Sequence, residues 1–126
     1  MPFDDVRRFL WQRVNDYRAG LGLAPLEFHE EESRHCKEHV VYLASVSRQK
    51  NDLVVEYSPE NLRIGWKESV AGVVESDFDK AVDLLLWKNL SKPELSEKIR
   101  GSEQYFAADM GYDPDSHRVF LVMRFK

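Results

Sequence analysis

The chain holds one cysteine, Cys36, so no disulfide can close within it. The cystine framework of small extracellular domains is thereby excluded, which leaves the compartment open, since exported domains without disulfides are common. Long apolar runs are also missing. The longest, Val40–Ala44 and Val119–Met123, are five residues each, far short of the roughly 20 that cross a bilayer as a helix. No transmembrane segment is expected. The opening Met1-Pro2-Phe3-Asp4-Asp5 has neither a basic stretch nor an apolar one, so no signal peptide is expected in this chain. Two readings stay open there: a protein that remains inside, or one whose leader has been removed. Basic residues are outnumbered, 18 against 22 acidic, for a formal charge of −4, and they are scattered. This argues against a nucleic-acid surface, which needs clustered Lys and Arg, and against an anionic membrane. There is no Gly-x-Ser-x-Gly elbow, no supported Cys–His pairing and no Gly-rich phosphate loop. Internal repeats, linkers and low-complexity stretches are absent too.

What is present suits one folded domain over residues 1–126. Hydrophobic residues make up 43% and charged residues 32%, with seven Phe, five Tyr and three Trp. That is a globular composition, and a chain of this length buries roughly two thirds of its unfolded surface.

Periodicity divides the chain. Val6, Leu10, Val14 and Tyr17 recur at helical spacing beside Phe9, with Asp4 or Asp5 as cap and Gly20 as stop. A second helix is expected from about His29 to Ser45, with Phe28, Cys36, Val40 and Leu43 as its buried stripe. Three glutamates in its first turn favour the positive end of the helix dipole. Residues 46 to 75 show the least periodicity, with Leu53-Val54-Val55 as a candidate strand. A third helix begins near Asp77, with Ser76 and Asp79 spaced as a capping box. Phe78, Ala81, Val82, Leu85 and Leu86 form its buried face, which Leu84 and Trp87 widen, and Pro93 ends it. Phe106, Ala108, Met110 and Tyr112 then alternate along one strand, and Val119, Leu121, Met123 and Phe125 along another. The turn Asp113-Pro114-Asp115-Ser116 joins them as an antiparallel hairpin. Helices followed by a terminal hairpin give a mixed α/β class with an antiparallel sheet.

Three stretches in register resemble the CAP superfamily, the cysteine-rich secretory, antigen 5 and pathogenesis-related 1 proteins. The first is Val14-Asn15-Asp16-Tyr17-Arg18 with Gly22-Leu23-Ala24-Pro25-Leu26-Glu27-Phe28. It is similar to Asn-x-x-Arg and Gly-Leu-x-x-Leu-x-Trp, with Phe28 for the Trp, and it continues to His39-Val40-Val41-Tyr42-Leu43-Ala44, close to the His-Ala-x-x-Met-Ala of bacterial members. The second is Pro59-Glu60-Asn61-Leu62-Arg63-Ile64-Gly65, similar to Gly-Glu-Asn-Ile-Ala-x-Gly. The third is Trp87 with Ser91-Lys92-Pro93-Glu94, similar to Trp-x-x-Ser-Pro-Gly-His, followed by the closing strands. The resemblance implies a three-layer α-β-α sandwich with a mainly antiparallel sheet, and a secreted or cell-envelope setting.

It also implies a cleft. Intact relatives place two histidines and two acids around a cavity that holds a divalent metal. Here the glutamate of the second motif is Glu60, and the histidine of the third is replaced by Glu94. The second acid would fall near Asn89 or Leu90, and residues 40 to 59 contain no histidine. Two carboxylates are poor zinc ligands and take calcium or magnesium only weakly without further oxygens. Glu60 and Glu94 are therefore the candidate cleft residues, for binding rather than catalysis, and no metal or cofactor is expected. If both line one cleft, repulsion raises one pKa, which could support acid–base chemistry. The resemblance thus points to a non-enzymatic binding or interaction module. Its partner would be a small apolar, lipid- or sterol-like ligand or another protein. The alternative is a metal-dependent hydrolase using the cleft around Glu60.

Other candidates have plainer readings. His35 and His39 are four apart and could share a metal on one helix face, but His35 is not followed by Glu as in the metalloprotease pattern. Cys36 lies on the apolar stripe, where a buried thiol is ordinary. Asn15 and Arg18 suit hydrogen bonds to neighbouring loops. His117 sits in a turn, exposed to solvent. Glu32 either lies on an exposed face or pairs with a basic residue.

Overall fold

A computed structural model describes residues 3–58, 65–90 and 101–126, with the backbone alone at 3–5 and 90. The order is α1 (Phe3–Gly20), β1 (Glu27–Phe28), α2 (Glu30–Lys50), β2 (Lys67–Val74), α3 (Phe78–Leu90), β3 (Tyr105–Asp113) and β4 (Arg118–Phe125). The strands form one sheet in the order β1-β3-β4-β2. The predicted hairpin is β3–β4, in register from Phe106 opposite Phe125 to Asp113 opposite Arg118. β2 pairs antiparallel with β4, whereas β1 runs parallel to β3. The sheet is thus mixed, which corrects the expectation of a mainly antiparallel one. The cause is local: the backbone leaving α1 donates Glu27 N–H to the Gln104 carbonyl and His29 N–H to the Phe106 carbonyl.

Alternation along β4 sends its side chains to two different clusters. Val119, Leu121, Met123 and Phe125 join Phe106, Ala108 and Met110 against Val6, Leu10 and Val14 of α1 and Ala81, Val82, Leu85 and Leu86 of α3. Phe120 and Val122 face the other way, with Ala107, Val70 and Trp66, against Cys36, Val40 and Leu43 of α2. α1 and α3 therefore cover one face of the sheet and α2 the other. Every residue of β4 is buried, as expected of a strand covered on both sides. Gly111 lets α2 come close: a Cβ there would collide with Val40.

Side chains fix the joints. Asn15 accepts from Leu26 N–H at 2.8 Å and donates to its carbonyl at 3.2 Å, like one rung of a ladder. Arg18 donates to the carbonyls of Ala24, Gly101 and Glu103. Both roles agree with the loop-holding expected of them. At the far end, Arg118 donates to the Ser47 carbonyl and Asn51 Oδ1, tying the left-handed cap of α2 to β4. The outer edge of β3 is also occupied: Ser33 Oγ accepts Ala108 N–H and Asp109 Oδ1 accepts Met110 N–H.

Four local expectations need correction. α2 runs past Ser45 to Lys50. Leu53–Val55 is not a strand; Val54 bonds both ways with the Ser47 hydroxyl, and Leu53 and Val55 lie over Gly72. The cap of α3 is Asp77, whose Oδ1 accepts from Asp79 and Lys80 N–H, rather than Ser76. Trp87 is 68% exposed, on the side of α3 away from Leu85 and Leu86, and does not extend the core.

Candidate functional site

Arg124 is the centre of the polar structure under α2. It sits on β4 directly opposite Glu68 of β2, and the alternation of both strands turns the pair toward α2. Its Nε donates to Glu68 Oε2 at 2.9 Å, its Nη1 to Glu32 Oε2 at 2.7 Å and its Nη2 to Ser58 Oγ at 2.9 Å. Ser58 closes the ring: its N–H donates to Glu68 Oε1 at 2.7 Å and its hydroxyl to Oε2 at 2.6 Å. Glu32, Glu68 and Arg124 are all buried. Burial opposes the arginine's charge, yet its pKa is raised by the hydrogen bonds it donates to the Glu32 and Glu68 carboxylates and by the charge of Glu68. Of the two readings of Glu32, partner of a basic residue is the one found.

The start of α2 sets the geometry. His29 caps the helix, its Nδ1 accepting from Glu32 N–H at 3.0 Å. That bond fixes the first turn, so Glu32 drops toward the sheet while Glu30 and Glu31 point to solvent. The His29 ring also meets Trp66 edge-on at 5.2 Å and Tyr105 at 6.0 Å, and Lys126 Nζ lies 5.9 Å over Trp66. Cys36 is fully buried one turn further along. Burial pushes its thiol pKa well up, Arg124 opposing and Glu32, Glu68 and Asp109 adding to it, so it stays protonated and unreactive.

Glu60 and Glu94 both lie outside the described residues, so neither can be placed. The flanks of the second motif can. Ser58 is held by Glu68 and Arg124, and Trp66 is held against His29. Of the two positions near which a second acid was expected, the Leu90 side chain lies outside the described residues and Asn89 is fully buried. Its Oδ1 accepts from Ser69 Oγ at 2.6 Å and its Nδ2 donates to the Leu85 carbonyl, a structural amide. His35 and His39 do not converge. His39 is buried, with Nε2 at 2.7 Å from the Glu56 carbonyl and its ring stacked on Tyr42. His35 pairs instead with Glu38 at 3.4 Å. His117 is exposed in its turn, as expected.

No protein-family model and no curated protein matches the sequence. Solved structures do. An outer surface protein from Borrelia burgdorferi superposes with a TM-score of 0.68 at 16% identity, over 94% of this chain and 89% of that one. A cysteine-rich secretory protein from Staphylococcus aureus superposes with a TM-score of 0.63 at 14% identity, over 98% of this chain but 39% of that one. The fold is CAP-like. This chain spans about two fifths of the staphylococcal protein.

Within the CAP-like fold, the described residues do not fit a bound metal. No three His, Cys, Asp or Glu side chains among them are grouped to hold an ion. The histidines are engaged elsewhere, and Glu32 and Glu68 already face a guanidinium. Glu68, Arg124 and Ser58 are the polar residues that sequence reasoning did not single out. The signal available was an arginine inside the apolar stretch Val119–Phe125, which calls for a buried counter-charge.

Proposed function

We propose that the chain is a non-enzymatic binding or interaction module spanning residues 1–126. In this reading, its stacking of α1 and α3, sheet, and α2 is the three-layer α-β-α sandwich of CAP domains. Its partner is a small apolar, lipid- or sterol-like molecule or another protein. The observation that supports this is the use made of the charged groups next to the second motif. Arg124 is joined to Glu32, Glu68 and Ser58, Ser58 also to Glu68, and His39 to a backbone carbonyl. A hydrolytic site needs a base or metal ligand within reach of substrate, whereas these groups hold the fold together. Glu60 and Glu94 are proposed to line the binding cleft, without a catalytic role.

Two measurements test the reading. Native mass spectrometry of protein purified without detergent or chelator should reveal a co-purifying apolar molecule or a protein partner, and no bound transition metal. Titration calorimetry with zinc at neutral pH should give no binding at micromolar concentration. Zinc binding that is micromolar or tighter and is lost in Glu60→Ala would overturn the proposal in favour of the metal-dependent hydrolase.

A further inference from the structure

A second candidate site lies on the other face of the sheet, where α1 passes the β1–α2 corner. Arg7, Arg8, Trp11, Phe28 and Glu30 line a groove of about 370 Å³, within the size range of small-ligand sites. Its apolar wall is fixed. Trp11 Nε1 donates to the Leu26 carbonyl at 2.7 Å. Phe28 stands edge-on to Trp11 at 5.9 Å and to Phe106 at 6.4 Å. Both rings are only partly buried, so they present aromatic surface without having to rearrange. The rim is cationic. Arg7 Nη1 holds Glu30 Oε1 at 2.9 Å, while Arg8 is exposed and has no hydrogen-bond or ion-pair partner among the described residues. Among the described residues, the rim carries two guanidiniums and one carboxylate.

We propose that this groove binds a small aromatic carboxylate. The flat body would lie against Trp11 and Phe28, and the carboxylate would take the planar fork of Arg8, the side chain suited to that geometry. Glu30 tunes the site toward a single negative charge, because a dianion would meet it as well as the guanidiniums. The inference goes beyond the proposed function. None of these residues belongs to the Arg124 cluster or to the second motif, so the two proposals can fail separately.

The test uses 2-naphthoate on the full chain, followed by the indole N–H signals in ¹H–¹⁵N NMR. The Trp11 signal should move saturably, with half-saturation at about 1 mM or below, while those of Trp66 and Trp87 stay put. Neutral 2-naphthamide should bind about tenfold more weakly or worse, and Arg8→Gln should weaken 2-naphthoate by a similar factor. Arg8 is exposed, so that variant should fold, which its own spectrum verifies. A motionless Trp11 signal, equal binding of the amide, or an unaffected Arg8→Gln variant each overturns the proposal.

Discussion

The two faces of the sheet are built on different principles. Under α1 and α3 the buried side chains are mainly apolar, Val6, Leu10, Val14, Leu85, Phe106, Met123 and their neighbours, with the neutral Ser69–Asn89 pair and Arg18 at the loop end as exceptions. Under α2, Val40, Leu43, Phe120 and Val122 share the interior with Arg124, Glu32, Glu68 and His39. An apolar interface is satisfied by shape and volume, and tolerates alternative packings. Buried charges tolerate few arrangements, because each displaced partner leaves an uncompensated group. The apolar face therefore supplies cohesion, while the α2 face sets how α2, β2 and the stretch carrying Ser58 meet.

The largest expected effect breaks the polar face. Arg124→Met leaves Glu32 and Glu68 buried without their shared cation and should cost about 3–5 kcal/mol in urea unfolding at pH 7. Adding Glu32→Leu and Glu68→Leu should return most of that loss, since apolar groups of similar volume can replace a buried ion cluster. A loss below about 1 kcal/mol for Arg124→Met would mean that water reaches the cluster and the faces differ less than described.

A second comparison lies within α3. Leu85→Ala should cost about 2–5 kcal/mol, as for a buried leucine. Trp87→Ala, two residues on, should cost less than about 0.5 kcal/mol, as for an exposed position. Similar costs for both would place Trp87 in the apolar core. The smallest perturbation is chemical. Cys36 should react with a thiol reagent only as fast as the protein opens, and fully in denaturant. Rapid stoichiometric labelling of native protein would show that the α2 face is open to solvent.

Much of this architecture was legible in the sequence because each of its elements carries its own period. The three helices and the β3–β4 hairpin each bury a face that repeats at 3.6 or 2 residues, and Cys36 fell on such a face. β1 was hidden because it has only two residues and pairs far away in sequence. β2 was hidden because its positions toward α2 are Glu68, Val70 and Gly72, a sequence that looks polar until Arg124 is set opposite. Trp87 misled for the reverse reason: Leu84–Trp87 is an unbroken apolar run, and on a helix such a run must turn one member outward. Glu60 and Glu94 belong to no periodic segment; they were singled out through resemblance alone, and both lie outside the described residues.

The side chains along the outer edge of β3 bear on how copies of this protein can meet. A free strand edge invites a neighbouring molecule to extend the sheet. Here Ser33 and Asp109 already occupy the amides of Ala108 and Met110. An incoming strand would have to strip both bonds before forming its own. Strand-to-strand growth along this stretch is therefore disfavoured from the outset, and self-association, where it occurs, is directed to side-chain surfaces instead.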